Sequence, residues 1–141
     1  MKIEIITKST DETLAFAEKL GQSSKPGSVY ALCGELGTGK TIIAKGIASG
    51  LGISEEITSP TFNLMEMYSS KIPMYHFDLY RIEVGEEFDH LNFEQFWESE
   101  GISVIEWAEK AKDRLPKNTI FIFLEYVDAN TRRIGIEYTN N

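Results

Sequence analysis

The chain has 141 residues, 42% hydrophobic and 26% charged, and its 14 basic against 22 acidic residues give a formal net charge of -8. That length suits one hydrophobic core and is short for a catalytic domain plus an ordinary second one, so residues 1–141 are read as a single domain, and the composition excludes a disordered chain. The acidic balance excludes a surface that grips nucleic acid unaided, and no apolar run approaches the ~20 residues of a membrane span or a signal peptide's core, which points to a soluble, cytoplasmic protein.

Ile3, Ile5 and Thr7 alternate with other residues as in a short edge strand, and Ser9 with Glu12 forms a capping box for a following helix. Leu14, Ala17 and Leu20 recur at helical spacing, and Gly21 is read as the stop of that helix. "VYALC", Val29–Cys33, is apolar without alternation, the pattern of a strand buried on both faces, and the single cysteine, Cys33, is read as buried filler at its end. A glycine-rich loop follows, then a mostly buried helix over 40–51 marked by Ile42, Ile43, Ala44, Ile47, Ala48 and Leu51. Later strands are expected at 62–68, 73–79 and 102–106, with shorter helices at 86–91, 93–98 and 107–114. "TIFIFLEYV" and "RRIGIEY", joined by "DAN", read as a closing antiparallel hairpin. The expected class is α/β: a P-loop NTPase-like three-layer sandwich with a mixed, mostly parallel sheet and that C-terminal hairpin.

"GELGTGKT" satisfies G-x-x-x-x-G-K-[ST] through Gly34, Gly39, Lys40 and Thr41, directly between an apolar strand and an apolar helix. Glycines free the backbone N–H groups of this loop to face a phosphate, and the helix behind them offers its positive end. The nucleotide-gripping stretch is therefore Gly34, Glu35, Leu36, Gly37, Thr38, Gly39, Lys40, Thr41 and Ile42, with Lys40 on the nucleotide's β and γ phosphates and Thr41 on Mg²⁺. A Mg²⁺ site also needs a carboxylate at the C-terminal end of a neighbouring strand. Asp78 ends "MYHFD" and Glu106 ends "ISVIE"; each is equally a site acid or a strand-end carboxylate capping the next helix.

"SPTF" at 59–62 is a nucleotide-sensing loop or a Ser-Pro turn, with local sequence unable to separate the two. His76 reads better as a hydrogen-bonded strand residue than as a ligand, and Trp107 and Tyr80 as packing residues. Arg81 is an internal arginine finger or the partner of a surface acid, with the second reading preferred.

"GELGTGKT", "ITSPTFNLMEMY", "YHFDLYRIE" and "ISVIEWAEKA", in that order over nearly the whole chain, resemble the bacterial TsaE family, also called YjeE. The resemblance implies a Mg²⁺-dependent P-loop ATPase needed to make threonylcarbamoyladenosine next to the tRNA anticodon. It implies work with two partners, TsaD and TsaB, to which tRNA binding and transfer chemistry would belong. It makes Lys40, Asp78 and Glu106 catalytic residues, places Thr41, Glu106 and Asp78 at the metal, and assigns Thr61 to a switch near the γ-phosphate. It also sets Thr10 and Arg132 on the adenine side. The chain departs from the family pattern at Ala108, where proline is usual after Glu-Trp, and at Asn92, where glycine is usual; Asn tolerates the left-handed backbone a glycine would supply.

Two other functions are weaker. A small-molecule kinase needs an arginine-bearing lid, and Arg132 and Arg133 fall in a strand. A GTP switch needs a guanine motif and D-x-x-G after the phosphate loop, which this sequence does not provide.

Overall fold

The computed structural model describes residues 2–34, 38–58, 64–82 and 85–138, apart from the side chain of residue 87. Seven strands form one sheet: β1 (Lys2–Thr7), β2 (Val29–Cys33), β3 (Met65–Tyr68), β4 (Met74–Asp78), β5 (Ile102–Glu106), β6 (Ile120–Tyr126) and β7 (Arg132–Tyr138), in the order β1-β7-β6-β2-β5-β4-β3. The central run β6-β2-β5-β4 is parallel. At its margins β3 pairs antiparallel with β4, β7 with β6, and β1 with β7. The sheet is thus mixed and parallel in its middle, as expected, with the closing hairpin formed by β6 and β7.

Every residue of β2 and of β5 is buried, which is why both read as unbroken apolar runs. Alternate side chains of a strand leave on opposite faces, so the sheet carries two cores. Tyr30 and Leu32 of β2 join Ile102 and Val104 of β5 beneath helices α1 (Thr10–Ser23) and α2 (Lys40–Gly50). Val29, Ala31 and Cys33 join Phe77 and Ile105 beneath α3 (Glu86–His90), α4 (Glu94–Trp97) and a 3-10 helix, Ala108–Arg114. This second core is aromatic: Phe77 meets the Phe93 ring edge-on with centroids 5.1 Å apart, and Phe88 meets Phe93 likewise at 5.6 Å.

Gly21 does not stop α1. The helix runs on to Ser23, and the hydroxyl of Ser24 closes it by donating to Leu20 O at 2.9 Å. The glycine serves a close approach instead, for a Cβ added there would lie 2.2 Å from the carbonyl oxygen of Ile47 on α2. At the other end Ser9 Oγ accepts from the Glu12 N–H at 3.1 Å, while the Glu12 carboxylate accepts from the Lys8 N–H, one residue earlier than a capping box requires. Other element ends differ from expectation by a residue or so, and Phe62 and Asn63, expected in β3, lie outside the described residues. The expected helix over 107–114 begins at Ala108, because Trp107 has φ 59, and Asn92 does take the left-handed backbone, at φ 56.

Candidate functional site

The parallel strands β2, β4 and β5 end side by side, with Leu32 opposite Glu106 and Glu106 opposite Asp78. Strand periodicity sends His76, Asp78 and Glu106 to the face shared with Met74, Ile102 and Val104, which is the face covered by α2. Because α2 starts at the end of β2, its first residues stand over these three side chains.

Gly34 and Gly39 bracket the loop between β2 and α2 with φ 149 and 102. A Cβ at Gly34 would come within 2.7 Å of Leu124 O and 2.9 Å of Thr38 Oγ1, so only glycine fits this cradle. No side chain caps the N-terminus of α2, and the helix carries no acid of its own in its first turn. Glu35, Leu36 and Gly37, expected to complete the cradle, lie outside the described residues, as does Thr61 with the rest of the "SPTF" stretch.

Lys40 is 5% exposed, and its ammonium donates to Gly34 O at 2.5 Å and stands 4.0 Å from the centroid of the Trp107 ring. Burial pulls its pKa below the ordinary lysine value, opposed by the charges of Glu109, Glu106 and Asp78. The Thr41 hydroxyl points at Glu106, 3.2 Å from Oε1 and 3.3 Å from Oε2, across 65 residues of sequence. Glu106 Oε2 also lies 2.6 Å from His76 Nε2, and the histidine ring is fully buried. Asp78 accepts from the Tyr80 N–H at 3.0 Å. Burial raises the Asp78 carboxyl above the usual range, and the Tyr80 amide partly offsets that.

Sequence reasoning underrated two side chains here. Trp107 is a lid on Lys40 rather than plain packing: its left-handed backbone, a conformation costing about 1–3 kcal/mol for a bulky residue, turns the ring over the ammonium. The Tyr80 ring packs against the Trp107 ring, centroids 4.9 Å apart. His76 touches a proposed site acid, and its alternation with Asp78 in "MYHFD" was the available signal.

Thr10 and Arg132 come together beside the loop, lining one groove with Ser9, Thr38, Gly39 and Ile42. Arg132 Nε donates to Thr38 O at 3.1 Å and its guanidinium also donates to Asp128 O at 2.7 Å, so the β6-β7 hairpin is tied to the loop's backbone. Arg81 is exposed, on the turn after β4.

Among the described residues no three His, Cys, Asp or Glu side chains cluster as a ready-made metal cage. Thr41 and Glu106 still suit Mg²⁺, a hard cation that keeps several waters and takes one or two protein oxygens together with phosphate oxygens. No helix among the described residues is long and apolar enough to cross a membrane.

A family model described as "Threonylcarbamoyl adenosine biosynthesis protein TsaE" matches residues 7–134. The chain is 37% identical over 131 residues to the tRNA threonylcarbamoyladenosine biosynthesis protein TsaE of Treponema pallidum, covering 93% of this chain and 97% of that one. It is 35% identical over 136 residues to the protein of the same name in Bacillus subtilis, covering 96% and 85%. Its fold is similar to the crystal structure of Bacillus subtilis YdiB, with TM-score 0.83 and 30% identity over 100% of this chain and 88% of that one.

Proposed function

The chain belongs to the TsaE family, whose members are named for tRNA threonylcarbamoyladenosine biosynthesis, and on that premise we propose that it is the ATP-binding and ATP-hydrolysing accessory subunit of that modification. It would act in the cytoplasm with TsaD and TsaB proteins, meeting tRNA only through them. The observation that carries the ATPase reading is the meeting of Thr41 with Glu106 beside Lys40, next to Gly34, where no side chain fits.

The residues divide the work as follows. Loop amides and the first turn of α2 would hold the phosphates, and Lys40 would leave the Gly34 carbonyl for the β and γ oxygens. Trp107 would keep water from the ammonium, which strengthens its attraction to phosphate. Thr41 and Glu106 would hold Mg²⁺, with Asp78 beside them, and the bound cation would supply neutralisation of the charge that develops on the phosphates. Asp78, its carboxyl raised by burial, is suited to orient water and take up a proton. Thr10 and Arg132 would flank the base in the groove beside Gly39.

The test is ATP hydrolysis by the purified chain with Mg²⁺, alone and then with TsaB and TsaD of the same organism. Slow turnover that rises with the partners is expected. Turnover that the partners leave unchanged would overturn the accessory-subunit reading.

A further inference from the structure

His76 is one of two histidines in the chain and is fully buried, yet its Nδ1 has no hydrogen-bond partner among the described residues. Its Nε2 lies 2.6 Å from Glu106 Oε2, a carboxylate whose side chain is itself 4% exposed. A ring proton on Nε2 has the Glu106 carboxylate as its acceptor and leaves Nδ1 only an unfilled lone pair, whereas a proton on Nδ1 would be a buried donor without an acceptor. The Nε2–H tautomer therefore fits this pocket, and the ring donates to Glu106.

We propose that His76 is a positioning residue for Glu106: its Nε2–H pins Oε2 and so keeps the whole carboxylate facing the Thr41 hydroxyl, holding the pair ready for a divalent cation. The geometry separates the two jobs. Thr41 reaches both carboxylate oxygens, at 3.2 and 3.3 Å, and its hydroxyl must turn away when it binds a cation. The bond from His76 comes from the neighbouring strand β4, from within the core, and does not have to change when that happens. A carboxylate left without it would be free to rotate about its χ angles, and supporting bonds of this kind are typically worth 10–100-fold in metal affinity. The inference rests on the reading of Glu106 as a Mg²⁺ ligand.

Its test is ADP binding by the full chain, measured by calorimetry at increasing Mg²⁺ and in EDTA, for wild type, Glu106→Ala, His76→Leu and His76→Gln. His76→Leu keeps bulk but removes the donor, and His76→Gln sets an amide N–H near the place of Nε2. The Mg²⁺ concentration giving half-maximal enhancement of ADP binding should rise about 10–100-fold in His76→Leu and return most of the way in His76→Gln, with affinity in EDTA unchanged. If Glu106→Ala leaves the Mg²⁺ dependence as in wild type, the metal-ligand reading itself fails. If Glu106→Ala abolishes it while both His76 variants match wild type, or match each other in being impaired, the positioning role fails. The wild-type chain gives an independent check should His76→Leu not fold: proton–nitrogen NMR should show the His76 ring as the Nε2–H tautomer at neutral pH, and an Nδ1–H tautomer would overturn the proposal.

Discussion

Replacing Gly21 by alanine puts a methyl group where α1 and α2 touch backbone to backbone. The added Cβ would stand 2.2 Å from Ile47 O and 3.0 Å from the Gly50 Cα, against an ordinary contact of 3.4 to 4 Å. One helix must therefore move by more than an ångström, and because the atoms in the way are backbone, overpacking here costs the upper part of its usual range, about 2–3 kcal/mol. Alanine's better helix propensity offsets roughly 1 kcal/mol of that. A net loss of about 1–2 kcal/mol corresponds to a fall in Tm of roughly 3–6 °C for a domain of this size. Thermal unfolding followed by circular dichroism measures it, with Gly85→Ala as the comparison, since a Cβ at Gly85 meets nothing within 4 Å. Under the proposed function, nucleotide affinity should fall too, because α1 carries Thr10 into the groove beside the loop. A Gly21→Ala protein as stable as wild type, or more so, would refute the close approach.

Three further outcomes are expected. Lys40→Ala should abolish tight ATP binding with little change in fold, and wild-type affinity by calorimetry would count against the phosphate site. Burial pushes the Cys33 thiol up to about 12, so iodoacetamide at pH 8 should modify it only after unfolding; rapid labelling of the native chain would contradict the burial. Arg114 grips both oxygens of Asp89, at 2.5 and 3.0 Å, and holds its carboxyl below the usual carboxylate range. A depressed folded pKa gives stability that is present above the unfolded value and lost as pH falls through the folded one. Asp89→Asn should thus lower Tm at neutral pH and cease to do so in strong acid; a difference constant with pH would remove the ion pair as its cause. The pair is exposed, so the effect should be small and shrink with salt.

Elements whose signals are local were legible before folding. β2 and β5 show as short apolar runs, α2 as the helix its phosphate motif requires, and the β6-β7 hairpin as two strand-forming stretches joined by "DAN". Gly21 misled because a glycine after an amphipathic stretch looks the same whether it ends a helix or admits a neighbouring one. His76 and Trp107 were hidden for a related reason. The worth of each depends on a partner 30 or 67 residues away, Glu106 for one and Lys40 for the other, and only pairing across the sheet brings such partners together.

The sequence by itself determined the glycine-lysine-threonine motif and its place between a strand and a helix, because its fixed spacing is a property of contiguous backbone. Only the tertiary structure decided which acid faces that loop and what holds it there. Parallel pairing of β2, β5 and β4 sets Glu106 under Thr41 with Asp78 at its side, and side-chain alternation places His76 behind it. Register between strands arises from burying two cores at once, a condition the whole chain satisfies and no single segment encodes.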